Sequence, residues 1–167
     1  MTNHVHIIKM GGTIEFIDPA YGAINTQIMK LDTSVEAYLN NIIKPHFTFT
    51  TETVAEKDSR DIIEQDLQTL AQAIKRSSYE NILVTHGTFT MRKTAQFLEK
   101  GQLAEKKIII TGAMVPIIGF SVSDAGFNMG FAIASFASIK PGVYLSINGW
   151  IFKYDQVDKN TEQFRFE

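Results

Sequence analysis

At 167 residues, 44% hydrophobic and 20% charged, the chain has the size and composition of one globular domain with a sizeable core, which excludes disordered and fibrous classes. A formal charge of −2 with no basic stripe argues against nucleic acid as a partner. The absence of cysteine removes disulfides, thiolate metal sites and a cysteine nucleophile together. The opening Met-Thr-Asn-His lacks a charged segment followed by an apolar stretch, and no run approaches membrane-spanning length. The expected compartment is therefore the cytoplasm, with no membrane partner.

Taken in order, apolar runs alternate with amphipathic stretches. Residues 5–9, 47–54, 81–85, 107–111 and 143–147 are rich in Ile, Val and Phe and predict strands. Residues 33–43, 62–76, 91–100 and 124–138 predict helices; in the second, Ile63, Leu67, Leu70 and Ile74 recur at helical spacing. After the fifth strand, Asn148-Gly149 signals a hairpin, with residues 150–154 returning as a strand and 155–161 leaving as a polar exit. No linker or second domain is visible across residues 1–167. The alternation implies an α/β fold: a flavodoxin-like, doubly wound, mostly parallel sheet with helices on both faces and a C-terminal hairpin.

Two of these strands end in a Gly-Thr step. The first runs into Gly11, Gly12 and Thr13, and the third into Gly87 and Thr88. Glycine allows a sharp turn and a close backbone approach, and a threonine hydroxyl held there is a candidate nucleophile. The competing reading of each step is an ordinary helix cap. In a flavodoxin-like order the first and third strands flank the point where strand order reverses, so both hydroxyls face one crevice. The second strand adds Glu56 to Asp61 to the same face, and the fourth adds Thr111-Gly112-Ala113-Met114.

With Gly11-Gly12-Thr13-Ile14, His86-Gly87-Thr88-Phe89-Thr90-Met91 and Thr111-Gly112-Ala113-Met114 in order, the chain resembles the N-terminal domain of the bacterial-type L-asparaginase family. Ser59, the Ser123-Asp124 pair and Lys159 match further family positions. The resemblance implies that Thr13 attacks the side-chain amide to form an acyl-enzyme that water then releases. It also implies that Tyr21 is the family's loop tyrosine, that Thr88 and Lys159 are its second threonine and lysine, and that Ser59 holds the substrate's α-carboxylate. Gly12, Gly87, Asp58, Arg60 and Phe89 complete the expected substrate-binding set, the glycine turns offering N–H groups to a developing oxyanion.

Two departures stand out. The family has aspartate between the threonines of its second motif, where this chain has Phe89, so the substrate's α-ammonium loses its carboxylate. The chain also stops at Glu167, whereas the family continues into a C-terminal domain that lends an acidic residue to a neighbouring subunit; the resemblance is to a short, single-domain form. Loss of the aspartate, and burial beside a phenyl ring, favour a neutral Lys159, which is the better base. The same loss weakens asparagine binding unless Asp58 or Asp61 substitutes.

Other residues carry weaker signals. His4 and His6 alternate on a strand but lack a carboxylate partner, so they are expected to be solvated and not metal ligands. His86 is expected to make a structural hydrogen bond, and Asp124 to stabilise a helix N-terminus. Phe127, Phe131 and Ile133, with Phe120 and Phe136, are expected in the core. Tyr21 reads equally as a surface turn residue, and Lys159 competes with Lys153. The resulting expectation is a small-amide hydrolase with L-asparagine as leading substrate, needing no metal or organic cofactor and working as a homo-oligomer. The rivals are an amidase or glutaminase whose substrate lacks a free α-ammonium, and a binding module that has lost turnover.

Overall fold

The computed structural model describes residues 4–15, 34–101, 103, 105–117 and 122–167. Five parallel strands form the centre of one sheet: β1 (His4–Gly11), β2 (Thr48–Lys57), β3 (Asn81–Thr85), β4 (Lys107–Thr111) and β5 (Gly142–Ile147). β6 (Trp150–Phe152) pairs antiparallel with β5, giving the order β2-β1-β3-β4-β5-β6. The reversal lies between β1 and β3, as the doubly wound reading requires.

β1, β3, β4 and β5 are largely buried and mostly apolar because both faces of the sheet are covered there, whereas the edge strand β2 is mostly polar and buries Ala55 alone. Alternation along β1 sends Ile8 and Met10 to one face and Val5 and Ile7 to the other. On the first face lie α2 (Glu64–Arg76), through Leu70, Ala73 and Ile74, and α3 (Met91–Lys100), through Met91, Ala95 and Leu98. On the second lie α1 (Val35–Ala37), through Val35, and α4 (Ala125–Ser135), through Ala125, Met129 and Ala132. Among the described residues no helix is long and apolar enough to cross a membrane.

Local chemistry sets the ends of these elements. Asp66 accepts from the Ile63 N–H at 3.0 Å and starts α2 two residues later than the pattern suggests, leaving Ile63 exposed. The hairpin between β5 and β6 has two residues, Asn148 and Gly149, with φ of 54° and 76°. Both are left-handed, the conformation a tight turn between twisted strands demands.

Four expectations are corrected. The first predicted helix becomes one turn of α1 followed by a wider π-helical turn, Tyr38–Ile43, ended by Lys44 in the left-handed region. Phe127 is 62% exposed, not core, while Phe136 is buried and Phe120 lies outside the described residues. His6 is buried, not solvated, and bonds Ser77 Oγ through Nδ1 at 2.9 Å; His4 stacks on Tyr79 with ring centroids 3.6 Å apart. The polar exit contains a second small hairpin, β7 (Lys159–Asn160) paired antiparallel with β8 (Arg165–Phe166).

Candidate active site

The turn after β1 is fixed by backbone alone. Gly12 donates its N–H to Lys57 O at 3.0 Å, and Ile14 O accepts from Ile117 N at 2.9 Å. Gly12 has φ +86°, and a Cβ there would stand 2.3 Å from Gly87 N. The two Gly-Thr turns therefore touch, which only glycine permits. Gly87 in turn faces Ser59: a Cβ on Gly87 would lie 2.7 Å from Ser59 Oγ. These contacts bring the ends of β1, β2 and β3 together, with Thr13 half-buried directly after Gly12. Among the described residues Ser59 Oγ is buried without a hydrogen-bond partner, and Ser59 O accepts from Thr90 Oγ1 at 2.6 Å.

His86 locks the second turn. Gly87 O only accepts, so the 2.8 Å contact makes His86 Nδ1 the donor, and Nε2 is left to accept from Thr94 Oγ1 at 2.9 Å. With both nitrogens spent and no exposed surface, burial pushes the imidazole down to about 4, so His86 is structural. Stability follows from the sign of that shift. Below the ordinary histidine value the unfolded chain takes up a proton that buried His86 refuses, so stability falls between about pH 6.5 and 4, by roughly 3 kcal/mol from this group. Urea unfolding at pH 7 and pH 4 is expected to show that loss, and His86→Gln is expected to flatten it.

Lys159 arrives from the far end of the chain. Its Nζ donates to Thr88 Oγ1 at 2.7 Å across 71 residues, while the Thr88 hydroxyl points at Met114 Sδ, 3.7 Å away. The β7–β8 hairpin holds the lysine there. Phe166 and Val157 sink into the core, Asp158 and Glu167 exchange backbone bonds at 2.9 and 3.0 Å, and Phe166 N donates to Asn148 Oδ1 at 3.0 Å. From α3, Arg92 donates to Tyr154 O at 2.9 Å and to Asp158 Oδ2 at 2.7 Å, tying the segment to the helix that follows Thr88. Lys153 is elsewhere, 4.2 Å from the Tyr144 ring centroid and 3.8 Å from Glu99.

Phe89, half-exposed, has two cations near its ring: Lys159 Nζ at 3.8 Å and Arg60 Cζ at 4.8 Å from the centroid. Arg60 reaches over from the one-turn helix Ser59–Asp61 and grips Asp58 with two bonds, Nε to Oδ1 at 2.8 Å and an NH2 to Oδ2 at 2.9 Å. Burial lowers the Lys159 pKa first, the Arg60 charge lowers it further, and Asp58 opposes them. The ring does more than exclude water, because its face attracts the charged ammonium and so works against the burial. Asp58 is held low by the Arg60 bonds and is already paired; Asp61 is exposed.

Side chains from the start of α4 hold the fourth loop. Asp124 stands at the N-cap of α4, the helix start where it was expected, and its carboxylate accepts from Met114 N and Val115 N at 2.9 to 3.1 Å and not from the N–H groups of that helix's first turn. Asn128 donates to Gly112 O at 3.0 Å and accepts from Asn148 N at 3.0 Å, linking the ends of β4 and β5. The one clue in sequence is an asparagine within the apolar Ala125–Ser135 helix. Thus Gly12, Asp58, Ser59, Arg60, Gly87, Thr88, Phe89 and Lys159 form one connected group beside Thr13, while Tyr21 lies outside the described residues. Among the described residues no group of three or more His, Asp or Glu side chains is placed to hold a metal ion.

The family profile described as Asparaginase, N-terminal, matches residues 4–165. A probable periplasmic L-asparaginase of Haemophilus influenzae is 29% identical, over 95% of this chain and 46% of its own length. A glutaminase-asparaginase of Acinetobacter glutaminasificans is 28% identical, over 94% of this chain and 50% of its own. The solved structure of a probable cytoplasmic L-asparaginase from Campylobacter jejuni superimposes with a TM-score of 0.76 at 25% identity, covering 94% of this chain and 48% of that one. The chain spans about half the length of these relatives. A profile match across nearly every described residue, on a sheet whose strand ends converge as found here, assigns the chain to the asparaginase family, whose N-terminal domain it matches.

Proposed function

We propose that the chain hydrolyses the side-chain amide of a small carboxylic acid, with L-asparagine as the member of that class its relatives' names indicate, to the acid and ammonia. The observation that carries this reading is the 2.7 Å contact between Lys159 Nζ and Thr88 Oγ1 in the crevice that also receives the Thr13 turn. The contact puts an amine able to take a proton against a buried threonine hydroxyl, the arrangement a proton relay requires.

In the proposed sequence Thr13 Oγ attacks the amide carbon, losing its proton to Thr88 and, through it, to a neutral Lys159. The tetrahedral oxyanion is supported by N–H groups of the glycine turns. Collapse expels ammonia, which takes the stored proton, and leaves an ester on Thr13. Water activated by the same pair hydrolyses that ester and restores the threonine. Ser59, buried beside Gly87, supports a carboxylate-binding role, and Tyr21 is retained as the proposed loop tyrosine. Nucleophile, base and oxyanion donors all come from the chain, so the proposal includes no metal or organic cofactor.

We further propose a homo-oligomer in which a neighbouring copy walls the crevice. The names of relatives cover both the periplasm and the cytoplasm, and the cytoplasm is the placement proposed. Ammonia release from L-asparagine, L-glutamine and their deaminated analogues tests the reading. Release from at least one of them, with an acyl adduct on Thr13 in quenched samples, is the expected result. No release from any amide would leave the binding-module reading.

A further inference from the structure

Charge around Phe89 bears on which amide the crevice accepts. Two cationic side chains, Arg60 and Lys159, approach one half-exposed phenyl ring, and the carboxylate that acts on both, Asp58, is spanned by the Arg60 fork at 2.8 and 2.9 Å. With Lys159 charged, Arg60, Lys159 and Asp58 together carry two positive charges against one negative. With Lys159 neutral the charges balance, and Asp58 is still spent on Arg60. In neither state is a carboxylate of this group left to meet a ligand's ammonium, and the aromatic face, the other feature that attracts cations, already has Lys159 over it. An ammonium brought here would lose hydration and meet like charge, whereas a ligand with hydrogen in its place brings only its carboxylate to the cationic pair.

We infer that the crevice selects monoamides of small dicarboxylic acids that carry no amino group, with Arg60 and Lys159 about the Phe89 ring as the determinant. The inference rests on the amide-hydrolase reading for its substrate class, and it narrows that class: the preferred ligand is asparagine's skeleton with hydrogen in place of the amine. Arg60 enters as a specificity-determining residue, on a position that the Ser59–Asp61 turn aims across the ring. Its charge is held in place by Asp58, so the selection depends on the pair and not on a mobile surface arginine.

The test separates binding from turnover. Titration calorimetry on the full chain compares the product-like acids succinate and L-aspartate, and ammonia release compares succinamate with L-asparagine. Succinate is expected to bind at least about tenfold more tightly than L-aspartate, the step that one modest charge contact supplies. Phe89→Asp, at a half-exposed position, is expected to fold and to reverse the preference. Arg60→Gln is expected to weaken succinate by about tenfold and leave L-aspartate within a few-fold. Equal binding of the two acids, tighter L-aspartate, or no binding of either at millimolar concentration would overturn the inference. A succinate preference with no ammonia released from either amide would sustain the selectivity and sink the hydrolase reading instead.

Discussion

Thr13→Ala is expected to abolish ammonia release, a loss of more than about a thousandfold, while the protein stays folded. The two halves of that expectation have separate causes. Removal of a nucleophile leaves no alternative first step, since a binding crevice and oxyanion donors alone give little turnover. The fold survives because the turn is held by its neighbours: Gly12 N bonds Lys57 O, and Ile14, fully buried, accepts from Ile117 N. The Thr13 side chain is half-buried and carries none of those bonds, so a stability change within about 0.5 kcal/mol is expected. Circular dichroism and thermal melting check the second half, and single-turnover assays with mass spectrometry check the first. Persistent turnover with an acyl group on Thr88 would transfer the nucleophile's role to the second turn.

How much of this was legible beforehand depended on whether a residue's partners lie near it in sequence. β1, β3, β4 and β5 announce themselves as runs rich in β-branched residues because burial on both faces leaves little room for polar ones, whereas the edge strand β2 shows itself through alternating Thr, Phe and Val. Thr13 and Thr88 could be placed beside one crevice because strand order alone brings the ends of β1 and β3 together. Lys159 was harder. Its strand is two residues long and has no period, and what fixes it is Arg92 from α3, Asn148 from the β5–β6 turn and the buried Phe166. None of those pairings leaves a local signature. Phe127 shows the opposite failure: an apolar residue on an apolar helix reads as core, yet it sits against the Gly149 turn with most of its ring exposed. Asp124 stands at the helix start as expected, and only its bonding partners were hidden. A helix-start aspartate has two sets of N–H groups within reach, and here the Met114–Val115 backbone won over the first turn of α4. The cation pair over Phe89 needed coordinates altogether, since position 60 and position 159 are unrelated in sequence until both face the same ring.

Lys159→Met is expected to lower turnover by about 10² to 10⁴, because the methionine keeps the side chain's bulk and removes the group that accepts the proton. The pH profile makes this more than a loss of function. A base must be neutral to act, so turnover should rise with pH through the Lys159 pKa. Burial, with Arg60 second, moves that pKa below the ordinary lysine value, so the rise should come at lower pH than a solvated lysine would give. In Lys159→Met the rise should vanish. In Arg60→Gln it should move to higher pH, since a positive neighbour that suppressed protonation is gone and Asp58, released from Arg60, remains to favour the charged ammonium. Lys153→Met is the control: that lysine lies over Tyr144 near Glu99, and its removal should leave both the rate and the profile unchanged. A Lys159→Met enzyme with the wild-type profile would mean that the 2.7 Å contact with Thr88 positions the hydroxyl without taking its proton, and the base would have to be sought elsewhere in the crevice.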